Sequence, residues 1–479
     1  MIKLKILLIY PPFPVGKGMG AVICSPPLNI LTLAGAVPEH DVDILDLNSD
    51  SSIGIKEMEE KLCEYDLIGI TCMTFSLRIV LNICKLAKRN GIPTLVGGFH
   101  PTLKPDVIDQ FDCIDMIVRG EGELTFKEII NGKPKNEILG LSYRENGKVY
   151  HNPDRPFVKN LDDLPFPRND LVDNSPYHYL WIRAWVIESS RGCPFTCEFC
   201  CVTVFYNRSY RSKSPERVIK ELMRVPPKTK LVFFVDDNFT LNKKRVMRIC
   251  QLLQKTHLNE HLVFVCQARV DDIANNPDMV EEMHKSGFIC FFLGFESFKQ
   301  MALDRMKKGY TLDKIRKCVN ICHENGIMVF GSFIIGNIGE TKEDTRKTFK
   351  LMKELDIDFI MTMPITPFPG TKLHDEAIDK GWFDKDLKWE TLRTGDYKPL
   401  MSTPNLTQAE IQALMSESYR SFYNDKRFLY RKFGSKKGPI RANPEFRWTK
   451  KFRFTFLRNG ITKFVMQLDK IVDEVYEAI

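Results

Sequence analysis

The stretch SSRGCPFTCEFCCV, residues 189 to 202, places four cysteines within nine positions, directly behind the apolar run AWVI. Cys193, Cys197 and Cys200 form a CxxxCxxC triplet in a loop that follows a strand-like segment. Structural zinc sites draw paired thiols from two separated knuckles to complete a tetrahedron, but this chain has no second CxxC. Three closely spaced thiolates can instead hold three irons of a cubane cluster and leave the fourth iron open to a substrate or cofactor. Cys201 follows the triplet directly and cannot easily share that geometry, so it reads as a packing residue.

C-terminal to the triplet, strand-like runs alternate with helical ones. AWVIES, LVFFVDD, LVFVCQAR, ICFFLGFES, MVFGSFIIG and FIMTMPITPFPG are rich in β-branched and aromatic residues. Between them, Ser214 precedes Pro215 as a helix cap precedes its first turn. Thr311 opens LDKIRKCVNICHEN, which Gly326 closes, and Thr341 opens KEDTRKTFKLMKEL. Six strand-helix units predict a partial (β/α)6 barrel over residues 181 to 385. Asp236, Asp237, Arg269, Glu296 and Thr366 then stand at carboxyl ends of strands, facing the mouth where barrel chemistry is found. Cys318 and Cys322 share a helical face and read as core residues.

N-terminal to the triplet, residues 1 to 135 also alternate, which predicts a parallel, doubly wound, Rossmann-like α/β domain. GGFHPT, with Gly97, Gly98 and His100, follows one of its strands, and GEGE, with Gly120 and Gly122, follows another. Both stretches read either as backbone cradles for a ligand at the strand ends or as ordinary βα turns. Residues 136 to 180 are rich in Pro, Asn and Asp and read as a hairpin and linker. Residues 386 to 479 read as a mostly helical, basic and aromatic extension. Between Arg420 and Lys463 stand fourteen Lys or Arg and two acids, although the whole chain carries a net charge of only +8.

Composition bounds the possibilities. A chain of 479 residues implies two or three domains. Hydrophobic content of 43% with 27% charged residues describes a folded protein rather than a disordered one. No apolar run reaches the length of a membrane span, and MIKLKILLIYPP reads as a buried first strand rather than a signal. The fourteen cysteines sit mostly singly in apolar runs, which fits a reducing, cytoplasmic setting better than a disulfide framework.

RGCPFTCEFC at the head of a (β/α) series resembles the radical S-adenosylmethionine superfamily. The resemblance implies that Cys193, Cys197 and Cys200 hold a 4Fe-4S cluster whose open iron chelates S-adenosylmethionine, with Phe199 touching the adenine. It further implies that VDDNF (235 to 239) meets the methionine part, that Glu296 of GFES meets the ribose, and that GSFIIGNIGET, with Gly336, lies against the adenine. ITPFPGT, with Thr366, resembles the superfamily's sixth strand, and Arg269 belongs to the same mouth. The first domain, with GGFHPT, GEGELTFKEII and the following NLDDLPFP, resembles the cobalamin-binding class of that superfamily. That class includes hopanoid methylases and the anaerobic magnesium-protoporphyrin cyclase. Cobalamin is then expected against Gly97, Gly98, Gly120 and Gly122. The chain lacks a DxHxxG motif, so His100 reads either as a substitute axial ligand or as a hydrogen-bonding loop residue.

The resemblance implies cleavage of S-adenosylmethionine to a 5'-deoxyadenosyl radical, followed by methyl transfer through methylcobalamin to an unactivated carbon of a small-molecule or lipid-like substrate. An external electron donor such as flavodoxin or ferredoxin is implied as well. Cyclisation, oxidation or carbon-carbon coupling with the same cofactors is the rival reading, and a cobalamin-binding sensor with an inert barrel is a rival of another class. For the basic aromatic segment 420 to 464, a solvated face and peripheral contact with an anionic membrane are the main readings, with nucleic acid disfavoured.

Overall fold

The computed structural model describes residues 3–12, 23–50, 53–179, 182–392 and 398–423. Two sheets organise it. The first contains β1 (Lys5–Tyr10), β3 (Asp41–Asp46), β4 (Leu67–Thr71), β5 (Thr94–Gly97), β6 (Met116–Val118), β7 (Leu141–Glu145) and β8 (Lys148–His151), in the order β3-β1-β4-β5-β6-β7-β8. Its first five strands are parallel. KILLIY is continuously apolar because both faces of β1 are covered. Leu7, Ile9, Ile68 and Ile70 pack on one side, and Ile6, Leu8, Leu67 and Leu95 on the other. Chain order reverses between β1 and β4, which opens a crevice at the carboxyl ends. The hairpin β7–β8 extends the same sheet antiparallel to β6. Asn146 and Gly147 both take positive φ at its turn, as a tight two-residue hairpin requires.

The second sheet contains β10 (Ile182–Ile187), β13 (Leu231–Phe234), β14 (Val263–Ala268), β15 (Phe288–Glu296), β16 (Met328–Ile335) and β17 (Phe359–Pro364), parallel and adjacent in chain order. This is the expected (β/α)6 arrangement, curled but open, since β10 and β17 do not pair. β9 (His178–Tyr179) and β2 (Ile23–Cys24) continue it antiparallel beyond β10. The chain therefore leaves the first domain after β1 to add an edge to the second. At the other edge the helix Gln408–Tyr423 covers β17. Tyr423 Oη accepts from Ile360 N at 2.9 Å and donates to Ile360 O at 3.0 Å, and Tyr419 Oη accepts from Thr362 N. Hydroxyls thus satisfy backbone groups that an open edge strand would expose.

The short ribbon of β11 (Ser190–Arg191) and β12 (Arg211–Ser212) brackets the cysteine loop. Of the basic segment 420 to 464, only Arg420–Tyr423 lies within the described residues, and Phe422 there is a core side chain. The remainder of that segment lies outside the described residues. Among the described residues, no helix is long and apolar enough to cross a membrane.

Candidate active site

The cysteine loop runs from β11 to the helix Cys201–Phe205. Gly192 must be glycine: its φ is +80°, and a Cβ would lie 2.2 Å from Ser209 O. Cys197 is buried, whereas Cys193 and Cys200 are half-buried. Among the described residues no three His, Cys, Asp or Glu side chains converge on a single ion. Burial pushes the Cys193 thiol up and the Cys200 thiol to about 12. Iron must therefore displace protons there as it binds.

A segment the sequence reading passed over, Arg305–Tyr310, grips this loop from outside. Glu198 N donates to Met306 O, and the Glu198 carboxylate pairs with Arg305 and Lys307, each at 2.7 Å. Lys308 is buried, pairs with Glu296 at 2.9 Å and lies 5.8 Å from the Phe199 ring centre. The Arg269 guanidinium stacks 3.5 Å from the Phe195 ring centre and donates to Lys308 O. A run of cations beside a glycine just before the Thr311 cap was the available signal, but its partners lie about a hundred residues away in sequence.

The strand-end residues separate into distinct roles. Asp236 is fully buried and accepts from Ser189 N at 2.6 Å and from Ser189 Oγ and Ser190 Oγ at 2.5 Å each. Asp237 accepts from Gly192 N at 2.9 Å, and burial raises its carboxyl to about 7. Glu296 has φ +62°, left-handed at a non-glycine residue, where Ser297 N donates to Phe295 O across it at 2.7 Å and the β15–β16 register shifts; its carboxylate pairs with the buried Lys308. Gly336 has φ +89° and abuts Ile411, since a Cβ would lie 2.7 Å from that side chain. Thr366 turns its hydroxyl onto Pro364 O. Glu340, absent from the expected set, is buried against Ser297 and Asn337, and burial raises it to about 7.

Between the carboxyl ends of the first sheet and the inner face of the second lies a cavity of about 600 Å³. The first domain contributes Gly97, Gly98, Gly120 and Gly122 with a cleft of Leu8, Ile30, Leu33, Leu95, Val118 and Phe126. The barrel contributes Val186, Phe233, Val265, Phe292, Phe330 and Met361. The two glycine loops are tied together, because Thr102 Oγ1 donates to Gly98 O at 2.7 Å and accepts from Gly120 N at 3.0 Å. A Cβ on Gly120 would meet nothing within 4 Å, so backbone there stands open to a close-lying ligand. These features fit a flat, amide-rimmed corrin with an appended tail: apolar walls, bare backbone at the strand ends, and a cleft beneath. His100 does not line the cavity. Its ring is buried on the opposite side, 6.2 Å from Trp389 and 3.4 Å from Thr74 Oγ1, and burial holds it neutral with a pKa of about 4.

Residues 187–352 match the radical SAM superfamily model and residues 21–130 the B12 binding domain. An uncharacterized methyltransferase of Pyrococcus horikoshii is 35% identical over 88% of this chain and 92% of its own. The anaerobic magnesium-protoporphyrin IX monomethyl ester cyclase of Rubrivivax gelatinosus is 28% identical over 89% of this chain and 78% of its own. In fold, the chain is similar to the cobalamin-dependent S-adenosylmethionine radical enzyme OxsB solved with aqua-cobalamin and S-adenosylmethionine. The TM-score is 0.69 at 17% identity, covering 94% of this chain and 71% of that one. The cysteine triplet heading a (β/α)6 sheet, the doubly wound domain facing it and these matches show that the chain belongs to the radical S-adenosylmethionine enzymes that carry an N-terminal B12-binding domain.

Proposed function

We propose that the chain is a methyltransferase acting on an unactivated carbon of an apolar small-molecule or lipid-like substrate held in the cavity between the two sheets. The observation that carries this reading is that one cavity is walled by the glycine loops of the first domain and by the barrel's inner apolar layer. When bound, the cluster with S-adenosylmethionine supplies a carbon-centred radical and cobalamin supplies a transferable methyl group. The chain's own part is positional. Arg269, Lys308 and the Glu198 ion pairs hold the cysteine loop, and Asp236 acts on it through Ser189 and Ser190 rather than by touching a ligand. Phe233, Phe292 and Phe330 wall the barrel side with rings that exclude water, while the charged lining residues Glu121, Glu123 and Glu188 are paired with Arg191.

The methyltransferase relative supports methyl transfer, whereas the cyclase relative favours a second reading, cyclisation or oxidation without it. Labelled methyl from S-adenosylmethionine separates the two. The reconstituted protein, supplied with an external flavodoxin or ferredoxin and an organic-soluble cell fraction, should place the label in an apolar product. Formation of 5'-deoxyadenosine with no labelled product would favour the second reading. Residues 420 to 464 extend the proposal to peripheral membrane contact. Its test is salt-sensitive sedimentation with anionic liposomes, lost on deleting 424 to 464, a boundary that spares the core residues Phe422 and Tyr423.

A further inference from the structure

The stretch that carries the cysteines is anchored in the other domain at both of its flanks. Two residues before Cys193, Arg191 is buried and donates from Nη1 to Glu121 Oε1 at 3.0 Å and from Nη2 to Glu123 Oε1 at 2.6 Å. Both glutamates belong to the GEGE loop, whose Gly120 and Gly122 line the cavity. The third arm, Nε, donates to Glu188 Oε2 at 2.8 Å within the barrel. Arg211, on β12, adds a second guanidinium on Glu121 at 2.8 Å. Beyond the triplet, Phe205 ends the helix that begins at Cys201 and packs on Phe99 of GGFH, ring centres 4.4 Å apart. Three carboxylates thus share two guanidiniums, and among the described residues Glu123 Oε2 is buried without a hydrogen-bond partner.

We propose that Arg191 is a positioning residue that sets the corrin-facing loop against the cluster loop, with Glu123 as the carboxylate that links the two. A guanidinium suits this place because its rigid fork reaches three carboxylates in fixed directions, which an ammonium cannot do. A buried charge cluster is also a poor source of net stability but a strict specifier of register. Glu123 joins the Arg191 fork to the loop whose Gly120 and Gly122 line the cavity. Disturbing Arg191 therefore shifts both the cysteine loop and the loop that would hold cobalamin in the cavity.

The inference rests on the two-cofactor reading and is tested on the full-length, cluster-reconstituted protein. Hydroxocobalamin affinity is read by difference absorbance, and the reduced cluster by electron paramagnetic resonance with and without S-adenosylmethionine. Arg191→Lys and Glu123→Gln should each weaken cobalamin binding about tenfold and alter the cluster's response to S-adenosylmethionine. Arg217→Lys, which disturbs a buried pair with Glu221 elsewhere in the barrel, controls for lost stability and should move neither readout at a matched thermal midpoint. Wild-type cobalamin affinity and an unchanged cluster spectrum in a folded Glu123→Gln or Arg191→Lys protein would overturn the inference while leaving the two-cofactor reading intact. Absence of cobalamin binding by the wild-type protein would overturn both.

Discussion

Replacing Asp236 by asparagine tests whether this carboxylate is an internal support. Its oxygens accept three hydrogen bonds from Ser189 and Ser190, at 2.5 to 2.6 Å, with no exposure to solvent. Asparagine keeps one acceptor oxygen and turns an amide donor toward groups that are themselves donors. Each hydrogen bond to a charged group contributes about 1.5–3 kcal/mol. Losing two of them, partly offset by removing a buried charge whose pKa burial already raises, leaves a net cost of about 2–4 kcal/mol. Arg245, which donates to Ser189 O at 2.7 Å, also loses a compensating charge nearby. Native-state hydrogen exchange resolves the effect locally, without assuming that a chain of several domains unfolds in two states. Amides at 189 to 191 should exchange roughly 30- to 1,000-fold faster in Asp236→Asn, and iron loading should fall. Asp237→Asn, which touches only Gly192 N among these groups, should leave that exchange near wild type. Equal protection in Asp236→Asn and the wild type, or a larger effect from Asp237→Asn, would refute the assignment.

Three further outcomes follow from the geometry. Alanine at Cys193, Cys197 or Cys200 should abolish iron loading and S-adenosylmethionine cleavage, whereas Cys201→Ala should largely spare both; equal iron loss at all four positions contradicts the division. His100→Gln should bind cobalamin with the wild-type visible spectrum, because the ring packs away from the cavity against Trp389; a shifted cobalt spectrum would make it a ligand. Glu340→Gln should be more stable than the wild type at pH 8. The folded carboxyl titrates near 7 against an ordinary 4.5, so the stability contributed by its protonated form is complete below 4.5 and lost as pH rises through 7. The gain should approach about 3 kcal/mol above pH 7 and vanish near pH 4.5, read from native-state hydrogen exchange of the barrel amides; a gain independent of pH contradicts it.

The triplet was legible because its chemistry depends on spacing along the chain. The parallel sheets were legible because strands buried on both faces read as continuous apolar runs, as KILLIY and LVFF do. Long-range pairs were not legible. Nothing local in RMKKGY announces that it closes over a loop more than a hundred residues earlier, or that the Lys308 ammonium pairs with Glu296. Asp236 and Asp237 looked alike because neighbours at a strand end differ only in which way each side chain turns, and pairing decides that. β2 is two residues long, too short for any period, so its departure from the first domain to the second sheet left no trace in the pattern. GEGE was read for its glycines, whereas its glutamates carry the contact to Arg191.

Whether one chain binds both an iron-sulfur cluster and cobalamin is decided by metal counting after anaerobic purification with cobalamin and cluster reconstitution. The expected result is about four iron and one cobalt per chain, with the iron lost and the cobalt retained when Cys193, Cys197 and Cys200 are replaced together by alanine. A folded protein that takes up iron but no cobalt, or whose cobalt leaves together with the iron at equal stability, would contradict it.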